Sequence, residues 1–178
     1  RRGQLRPIDR LTPAFFRYNR GPSQGTGAMD DFIFRTYDQT ALDTEYNNRA
    51  KVPDFDDYKA EQARHSESVR AGFEHRFDVA YGPGPTERID IFPAPGPGPG
   101  PVHVFFHGGY WKMNHKEEFG FVARSLVPAG AAVVVVEYAL IPTVDMDTLV
   151  DQCRVCMAWV WRNAESFGAD PARISVSG

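Results

Sequence analysis

Residues 102–111 read VHVFFHGGYW, an apolar run followed directly by a histidine and two glycines. The run is typical of a buried β-strand, and the glycines let the chain turn sharply where that strand ends. Such a loop brings backbone N–H groups close to a substrate, where they can stabilise negative charge on an attacked carbonyl oxygen. We therefore predict an oxyanion hole formed by the N–H groups of Gly109 and Tyr110, joined by that of Gly108, and with it acyl-transfer chemistry.

The composition is that of a soluble globular protein with one domain. The chain has 178 residues, of which 42% are hydrophobic and 24% are charged. Its formal net charge of −3 provides no basic surface of the kind that nucleic-acid binding uses, and no apolar run approaches the roughly 20 residues needed to cross a bilayer. Neither nucleic acid nor a membrane is expected as a partner.

The two cysteines, Cys153 and Cys156, are spaced like half of a metal site or a redox pair. Together with Leu149, Met157 and Val160, however, they follow the spacing of the apolar face of one helix, which predicts that both are small buried hydrophobes. No second pair of ligands accompanies them, so we predict neither a metal nor a cofactor. The absence of a disulfide framework favours a reducing compartment, the cytoplasm.

Residues 1–28 do not resemble the rest of the chain. They contain six arginines against one acidic residue, Asp9, and a turn-rich stretch at 21–27. We interpret them as a tag-derived, upstream or disordered extension, with Met29 as the natural start; an arginine-rich organelle-targeting segment is the alternative. Residues 30–71 are polar and predict one or two short helices on the outside of a single domain that spans 29–178.

The middle of the chain predicts a hairpin and a connector. Alternating apolar residues in 73–81 and again in 89–91 flank a Gly-Pro turn and indicate two antiparallel strands. Residues 93–101 alternate proline with glycine or alanine, and they lack too many backbone donors to join a sheet. We expect them to form an exposed, partly extended connector.

The remaining sequence predicts the order β, α, β, α, β. After the strand at 102–106, Asn114 is expected to cap a helix with Glu117 reaching back to it. Residues 131–136 form a continuous apolar run suited to a central parallel strand, and a long helix is expected from Asp145 to Phe167. Gly168 would end that helix, Asp170 and Pro171 would turn the chain, and 174–177 would form the third parallel strand. The carboxyl ends of these strands should gather in one crevice.

These residues resemble the α/β-hydrolase superfamily, and the HGGYW loop is most similar to the branch of kynurenine formamidase (arylformamidase) and related carboxylesterases. The landmarks agree in order across residues 29–178: DTEYN at 43–47, HGGYW at 107–111, Glu137-Tyr138 with Pro142 shortly after, and DPARI at 170–174 before Gly178. The resemblance implies an α/β fold, here its N-terminal portion, with a mostly parallel sheet, flanking helices and an antiparallel hairpin at its start.

The resemblance also implies a serine nucleophile in a Gly-x-Ser-x-Gly elbow. Gly178 matches the first glycine of that elbow, so the serine is expected two positions later, followed by the catalytic carboxylate and then the histidine. Ser125, Ser166, Ser175 and Ser177 lack the elbow spacing and a downstream histidine. We therefore expect the chain to be the N-terminal portion of the enzyme and to be inactive by itself.

Five further positions are candidates for supporting roles. His107 precedes the glycine loop, and we predict that it holds the loop rather than acting as a general base. Trp111 and Tyr138 are candidate substrate-binding residues, with ordinary core or loop packing as the open alternative for both. Two acidic residues are expected to serve the N-terminus of the long helix, Asp145 and Asp147.

The predicted function is cleavage of a carboxylic ester or an aryl formamide, such as N-formylkynurenine, through an acyl-enzyme. A general short-chain carboxylesterase is the first alternative, because both activities share the loop. A catalytically inactive hydrolase-fold protein that binds a ligand is the second, and the residue two positions after Gly178 distinguishes it from an enzyme. The expected partner is a small-molecule substrate, and a homodimer is compatible with the sequence.

Overall fold

A computed structural model describes residues 32–178 of the protein, so the prediction for residues 1–28 lies outside the described residues. The described residues fall into two compact units, 32–48 and 49–178. In the described part of the first unit, helix α1 spans Gln39–Tyr46. It begins where the carboxylate of Asp38 accepts a hydrogen bond from the N–H of Ala41, 2.7 Å away.

The second unit contains the other helices and a five-stranded sheet. Helix α2 spans Phe55–Gly72, so the polar N-terminal region includes one helix longer than expected. The other elements are the strands β1 (Arg76–Ala80), β2 (Arg88–Phe92), β3 (Gly100–Phe106), β4 (Ala132–Val136) and β5 (Ala169–Ser177), the helices α3 (Ala123–Leu126) and α4 (Met146–Asn163), and short 3-10 helices at Arg49–Lys51, Lys116–Val122 and Ala164–Phe167.

The strands lie in the order β1-β2-β4-β3-β5. β1 pairs antiparallel with β2, which confirms the predicted hairpin, and β2 pairs antiparallel with β4. β3 pairs in parallel with β4 on one side and with β5 on the other. The chain therefore supplies three adjacent parallel strands whose carboxyl ends share one edge of the sheet.

Strand β4 lies at the centre and is buried along its whole length, as its unbroken apolar sequence predicts. Val134 and Val136 belong to a core shared with α4, whereas Val133 and Val135 belong to a core shared with α2 and α3. Helices thus cover both faces of the sheet. The connections β3-α3-β4 and β4-α4-β5 run in opposite directions across the sheet. If both are right-handed, as such connections almost always are, their helices lie on opposite faces.

The helix after the glycine loop begins one residue later than predicted. Asn114 has a left-handed backbone with φ of 73°, and its side-chain amide donates to the carbonyl oxygen of Gly108, 2.9 Å away. His115 is the capping residue instead, and its N–H donates to the side chain of Glu118. The expected partners Asn114 and Glu117 were therefore wrong, because an asparagine tolerates the left-handed conformation that the loop requires there. The element is also a 3-10 helix followed by the short α3.

Two strand boundaries also differ from the expectation. β5 begins at Ala169, earlier than expected, but Asp170 and Pro171 lie in an irregular part of it, where Gly100 pairs with Ala169 and Val102 pairs next with Ile174. Regular parallel pairing therefore starts at Ile174, as predicted, and the side chain of Asp170 accepts a hydrogen bond from the N–H of Ala172. A proline is compatible with β5 because this strand lies at the outer edge of the described sheet. β3 begins at Gly100, at the end of the proline-rich connector, where the N–H of Gly100 donates to the carbonyl oxygen of Gly168.

Helix α4 agrees with its prediction. Asp145 caps it by accepting from the N–H of Thr148, and Asp147 lies in the first turn. Gly168 follows the final 3-10 turn with a left-handed φ of 72°. Cys156 is buried, Cys153 is half-buried, and both are free thiols. No helix within residues 32–178 combines the length and the apolar character that a membrane span requires.

Candidate active site

The glycine loop lies at the carboxyl edge of the parallel strands. His107 follows the end of β3 directly, and β3 is flanked on both sides by parallel partners. Gly178 follows the end of β5 and lies beside Phe106: a Cβ atom on this glycine would be 2.9 Å from the Phe106 carbonyl oxygen. The parallel register therefore brings together the two glycine-containing sites that the sequence analysis singled out.

The loop backbone has an unusual conformation. Gly109 has a φ of 136°, and Tyr110 and Trp111 are left-handed with φ of 51° and 60°. The carbonyl oxygen of Gly109 accepts hydrogen bonds from the N–H groups of Lys112 and Met113. Among the described residues, no acceptor pairs with the N–H of Gly108 or of Gly109. These two donors remain available at the sheet edge.

His107 lies in the interior of the domain at the start of the loop. Its side chain is fully buried, and its ring lies between the rings of Tyr138 and Phe119, with centroid distances of 4.4 and 5.6 Å. Each ring nitrogen faces an acceptor: Nδ1 lies 3.0 Å from the Gly108 carbonyl oxygen, and Nε2 lies 3.4 Å from Oε1 of Glu137. The supporting role of His107 stays a prediction, and these are the contacts through which it would act.

Glu137 is a residue whose role the sequence analysis did not identify. It follows β4, and its side chain is only 10% exposed. Oε2 accepts from the backbone N–H of Lys116, 3.0 Å away. Burial alone would raise the pKa of this carboxyl, but the hydrogen bonds from His107 and from the Lys116 N–H hold the pKa below its usual value. The signal in the sequence is a charged residue directly after β4, which consists of one alanine and four valines.

A charge cluster centred on the buried side chains of Lys116 and Asp90 lies beyond the far end of the loop. The ammonium group of Lys116, 2% exposed, lies 2.8 Å from Asp78 and 2.9 Å from the fully buried Asp90. It also contacts Glu117, and Arg70 of α2 forms a second ion pair with Asp90. Burial alone would lower the pKa of Lys116, but the three carboxylates raise it. The cluster joins α2, the β1-β2 hairpin and the loop through charges that are paired rather than left alone in the interior.

The two candidate substrate-binding side chains occupy different environments. Trp111 is 51% exposed, so it does not form part of the core. Its carbonyl oxygen accepts from the N–H of Ile141. Tyr138 is 4% exposed and its hydroxyl donates to the carbonyl oxygen of His107. Tyr138 therefore packs beneath the loop, which favours the packing alternative for this residue.

A serine and histidine group occurs elsewhere on the sheet. His103 of β3 lies with Nδ1 2.9 Å from the Ser175 hydroxyl and Nε2 2.8 Å from the Ser177 hydroxyl. Burial lowers the pKa of this histidine. In residues 32–178 no carboxylate contacts its ring, and His103 lies within its strand rather than at the carboxyl edge. The group lacks the carboxylate that orients the base in a catalytic triad.

Residues 32–178 contain no group of three or more histidine, cysteine, aspartate or glutamate side chains arranged to hold a metal ion. What the sheet edge offers is a pair of backbone donors on a loop held by buried side chains. Donors of this kind can stabilise an oxyanion without moving during the reaction.

A family model described as BD-FAE matches residues 89–178, which include β2 apart from its first residue, β3 to β5, α3, α4 and the glycine loop. The chain belongs to the BD-FAE family. Kynurenine formamidase of Danio rerio is 40% identical over 90 residues, which cover 50% of this chain and 31% of that protein. Carboxylesterase NlhH of Mycobacterium tuberculosis is 39% identical over 88 residues, or 49% of this chain and 28% of that protein.

Solved structures agree with this assignment. A Silicibacter sp. protein provisionally described as a thioesterase has a TM-score of 0.66 and 27% identity, covering 76% of this chain and 50% of that one. This BD-FAE member has the α/β-hydrolase fold of the formamidase and carboxylesterase type, which confirms the predicted fold class. The match spans 31% of the length of the Danio rerio formamidase and 28% of the length of the Mycobacterium tuberculosis carboxylesterase.

The charge cluster predicts a pH-dependent contribution to stability. The hydrogen bond and the charge of Lys116 hold the pKa of Asp78 below its usual value. A carboxylate with a lowered pKa stabilises the fold above its ordinary pKa, and that stabilisation is lost as the pH falls through the lowered one. We expect Lys116→Met to reduce the free energy of unfolding more at pH 6 than at pH 3, measured by urea denaturation. An equal reduction at both pH values would contradict this electrostatic role.

Proposed function

We propose that the 107–111 loop is the oxyanion hole of a serine hydrolase that cleaves a carboxylic ester or an aryl formamide. The observation that carries the proposal is the backbone of Gly109, whose N–H has no acceptor among the described residues and lies on a loop at the carboxyl edge of the parallel strands. The similarity to kynurenine formamidase over half of the chain favours an aryl formamide, of which N-formylkynurenine is the expected example.

The proposed reaction follows the logic of the serine triad. A serine two positions after Gly178 attacks the carbonyl carbon and passes its proton to a histidine that a carboxylate orients. The oxyanion of the tetrahedral intermediate accepts hydrogen bonds from the N–H groups of Gly109 and Tyr110, joined by Gly108. The histidine then protonates the departing alcohol or aryl amine, and water hydrolyses the acyl-enzyme. Each donor of this type contributes about 3 to 4 kcal/mol to transition-state stabilisation.

Trp111 is the side chain that best fits a substrate-binding role in this proposal. It is half-exposed and follows directly after the proposed donors. An indole at this place can pack against the aryl leaving group of a formamide. A general short-chain carboxylesterase is the alternative activity, and the similarity to carboxylesterase NlhH favours it. A hydrolase fold that only binds a ligand is the alternative without catalysis.

Covalent labelling tests the proposal. The full-length protein that contains this chain should react with a fluorophosphonate, and mass spectrometry should locate the adduct on the serine two positions after Gly178. N-formylkynurenine should be hydrolysed with a higher kcat/KM than p-nitrophenyl acetate; the reverse ranking would favour the carboxylesterase. A folded protein that binds N-formylkynurenine but is neither labelled nor hydrolytic would establish the binding alternative instead.

Gly109→Ala tests the loop itself. A Cβ atom on Gly109 would lie 2.1 Å from the carbonyl oxygen of Met113, and its φ of 136° is unfavourable for alanine. The loop must shift, and we expect kcat to fall by roughly 10² to 10³, the cost of losing an oxyanion donor. Gly98→Ala is the matched control, because no described heavy atom lies within 4 Å of the added methyl group. If folded Gly109→Ala keeps the kcat of the control, the loop is not the oxyanion hole.

A further inference from the structure

Glu137 contacts both ends of the glycine loop with one carboxylate. Oε1 lies 3.4 Å from Nε2 of His107, where the loop begins. Oε2 accepts from the N–H of Lys116, 3.0 Å away, where the loop ends, and lies 3.4 Å from Nδ1 of the exposed His115. The two ends of a ten-residue segment are thus linked through a single buried side chain.

The backbone of Glu137 is itself held in the sheet. Its N–H donates to the carbonyl oxygen of Arg88, 2.9 Å away, and its carbonyl oxygen accepts from the hydroxyl of Tyr81, 2.8 Å away. Lys116 is likewise fixed, because its buried ammonium group pairs with the buried Asp90 and with the more exposed Asp78. Glu137 and Lys116 are therefore each held by contacts to residues outside the loop.

The loop needs such support. Between its two anchors, Tyr110, Trp111 and Asn114 all have left-handed backbones, which are unfavourable for residues other than glycine. A backbone of this kind persists only where its surroundings hold it in place. An oxyanion hole also depends on donors that are already oriented before the reaction begins. The contacts at the two ends meet both requirements.

We propose that Glu137 is a positioning residue for the oxyanion loop: its carboxylate fixes His107 and Lys116 and thereby orients the N–H groups between them. The inference deepens the proposed function and rests on it. It assigns Glu137 no contact with the substrate, so its removal should slow the chemical step without weakening substrate binding. The role depends on two hydrogen bonds, one with His107 and one with the N–H of Lys116. A glutamine at this position can also form both, because its amide oxygen can accept from the Lys116 N–H and its amide nitrogen can donate to Nε2 of His107.

The test compares Glu137→Leu with Glu137→Gln in the full-length protein. Glu137→Leu removes both contacts, and we expect kcat per fluorophosphonate-titrated site to fall at least about tenfold while KM changes less than about twofold. Glu137→Gln should restore kcat to within about threefold of wild type. Normalising to titrated sites separates positioning from a loss of folded protein. The matched control is Glu165→Leu, at an exposed position of the 3-10 helix that precedes the amino end of β5.

Hydrogen exchange provides a reading that does not depend on catalysis. Amide hydrogens in peptides covering 107–116 should exchange at least about fivefold faster in Glu137→Leu than in wild type, and at the wild-type rate in Glu165→Leu. If wild type is not labelled at all, the proposed function fails, and the exchange rates still decide whether Glu137 positions the loop.

Three results would overturn the inference: a wild-type kcat per site in Glu137→Leu, unchanged exchange across 107–116, or a Glu137→Gln variant as slow as Glu137→Leu. If Glu137→Leu does not fold, Glu137→Asp replaces it. The aspartate keeps the charge but is one methylene shorter and cannot span both contacts, so kcat should fall at least about fivefold. A wild-type kcat in Glu137→Asp would also overturn the inference.

Discussion

The parallel pairing of β3 with both β4 and β5 is the constraint on which the proposed site depends. It brings three chain segments that are far apart in the sequence to one edge: the His107 loop after β3, Glu137 after β4 and Gly178 after β5. Because ligands of open α/β sheets bind outside the carboxyl ends of the strands, this edge is where a substrate is expected. A shift in the register of any of these strands would separate the proposed donors from the residue that supports them.

The interior of the domain next to this edge of the sheet contains charged and polar side chains in addition to the hydrophobic core. Glu137, Asp90, His107 and Lys116 are all buried, and each has a hydrogen-bonding or charged partner. Burying such groups is unfavourable unless they are paired, so the cluster is a demanding way to stabilise a fold. Under the proposed positioning role of Glu137, it serves to specify one loop conformation. The charges connect the end of the loop to α2 and to the β1-β2 hairpin. The conformation of the loop therefore depends on residues from several elements of the domain.

Local patterns were sufficient to predict most of the fold, because they depend on neighbouring residues. The apolar run of β4, the Asp145 cap and Gly168 could all be assigned from the sequence. The cap at Asn114 was wrong because asparagine suits both a helix cap and a left-handed turn, and only the loop decides between them. Glu137 and the Lys116 cluster were missed because their partners come from distant parts of the chain. No short-range pattern indicates that Asp78, Asp90 and Lys116 meet.

The central claim is that the amides after β3 are oriented toward a developing oxyanion. Its most direct test is a crystal structure of the full-length protein carrying a covalent phosphonate on its nucleophile, since the phosphonyl oxygen occupies the position of the oxyanion. The account predicts that this oxygen lies about 2.7 to 3.1 Å from the backbone nitrogens of Gly109 and Tyr110. A phosphonyl oxygen that binds other donors, with the Gly109 N–H directed away from it, would contradict the account.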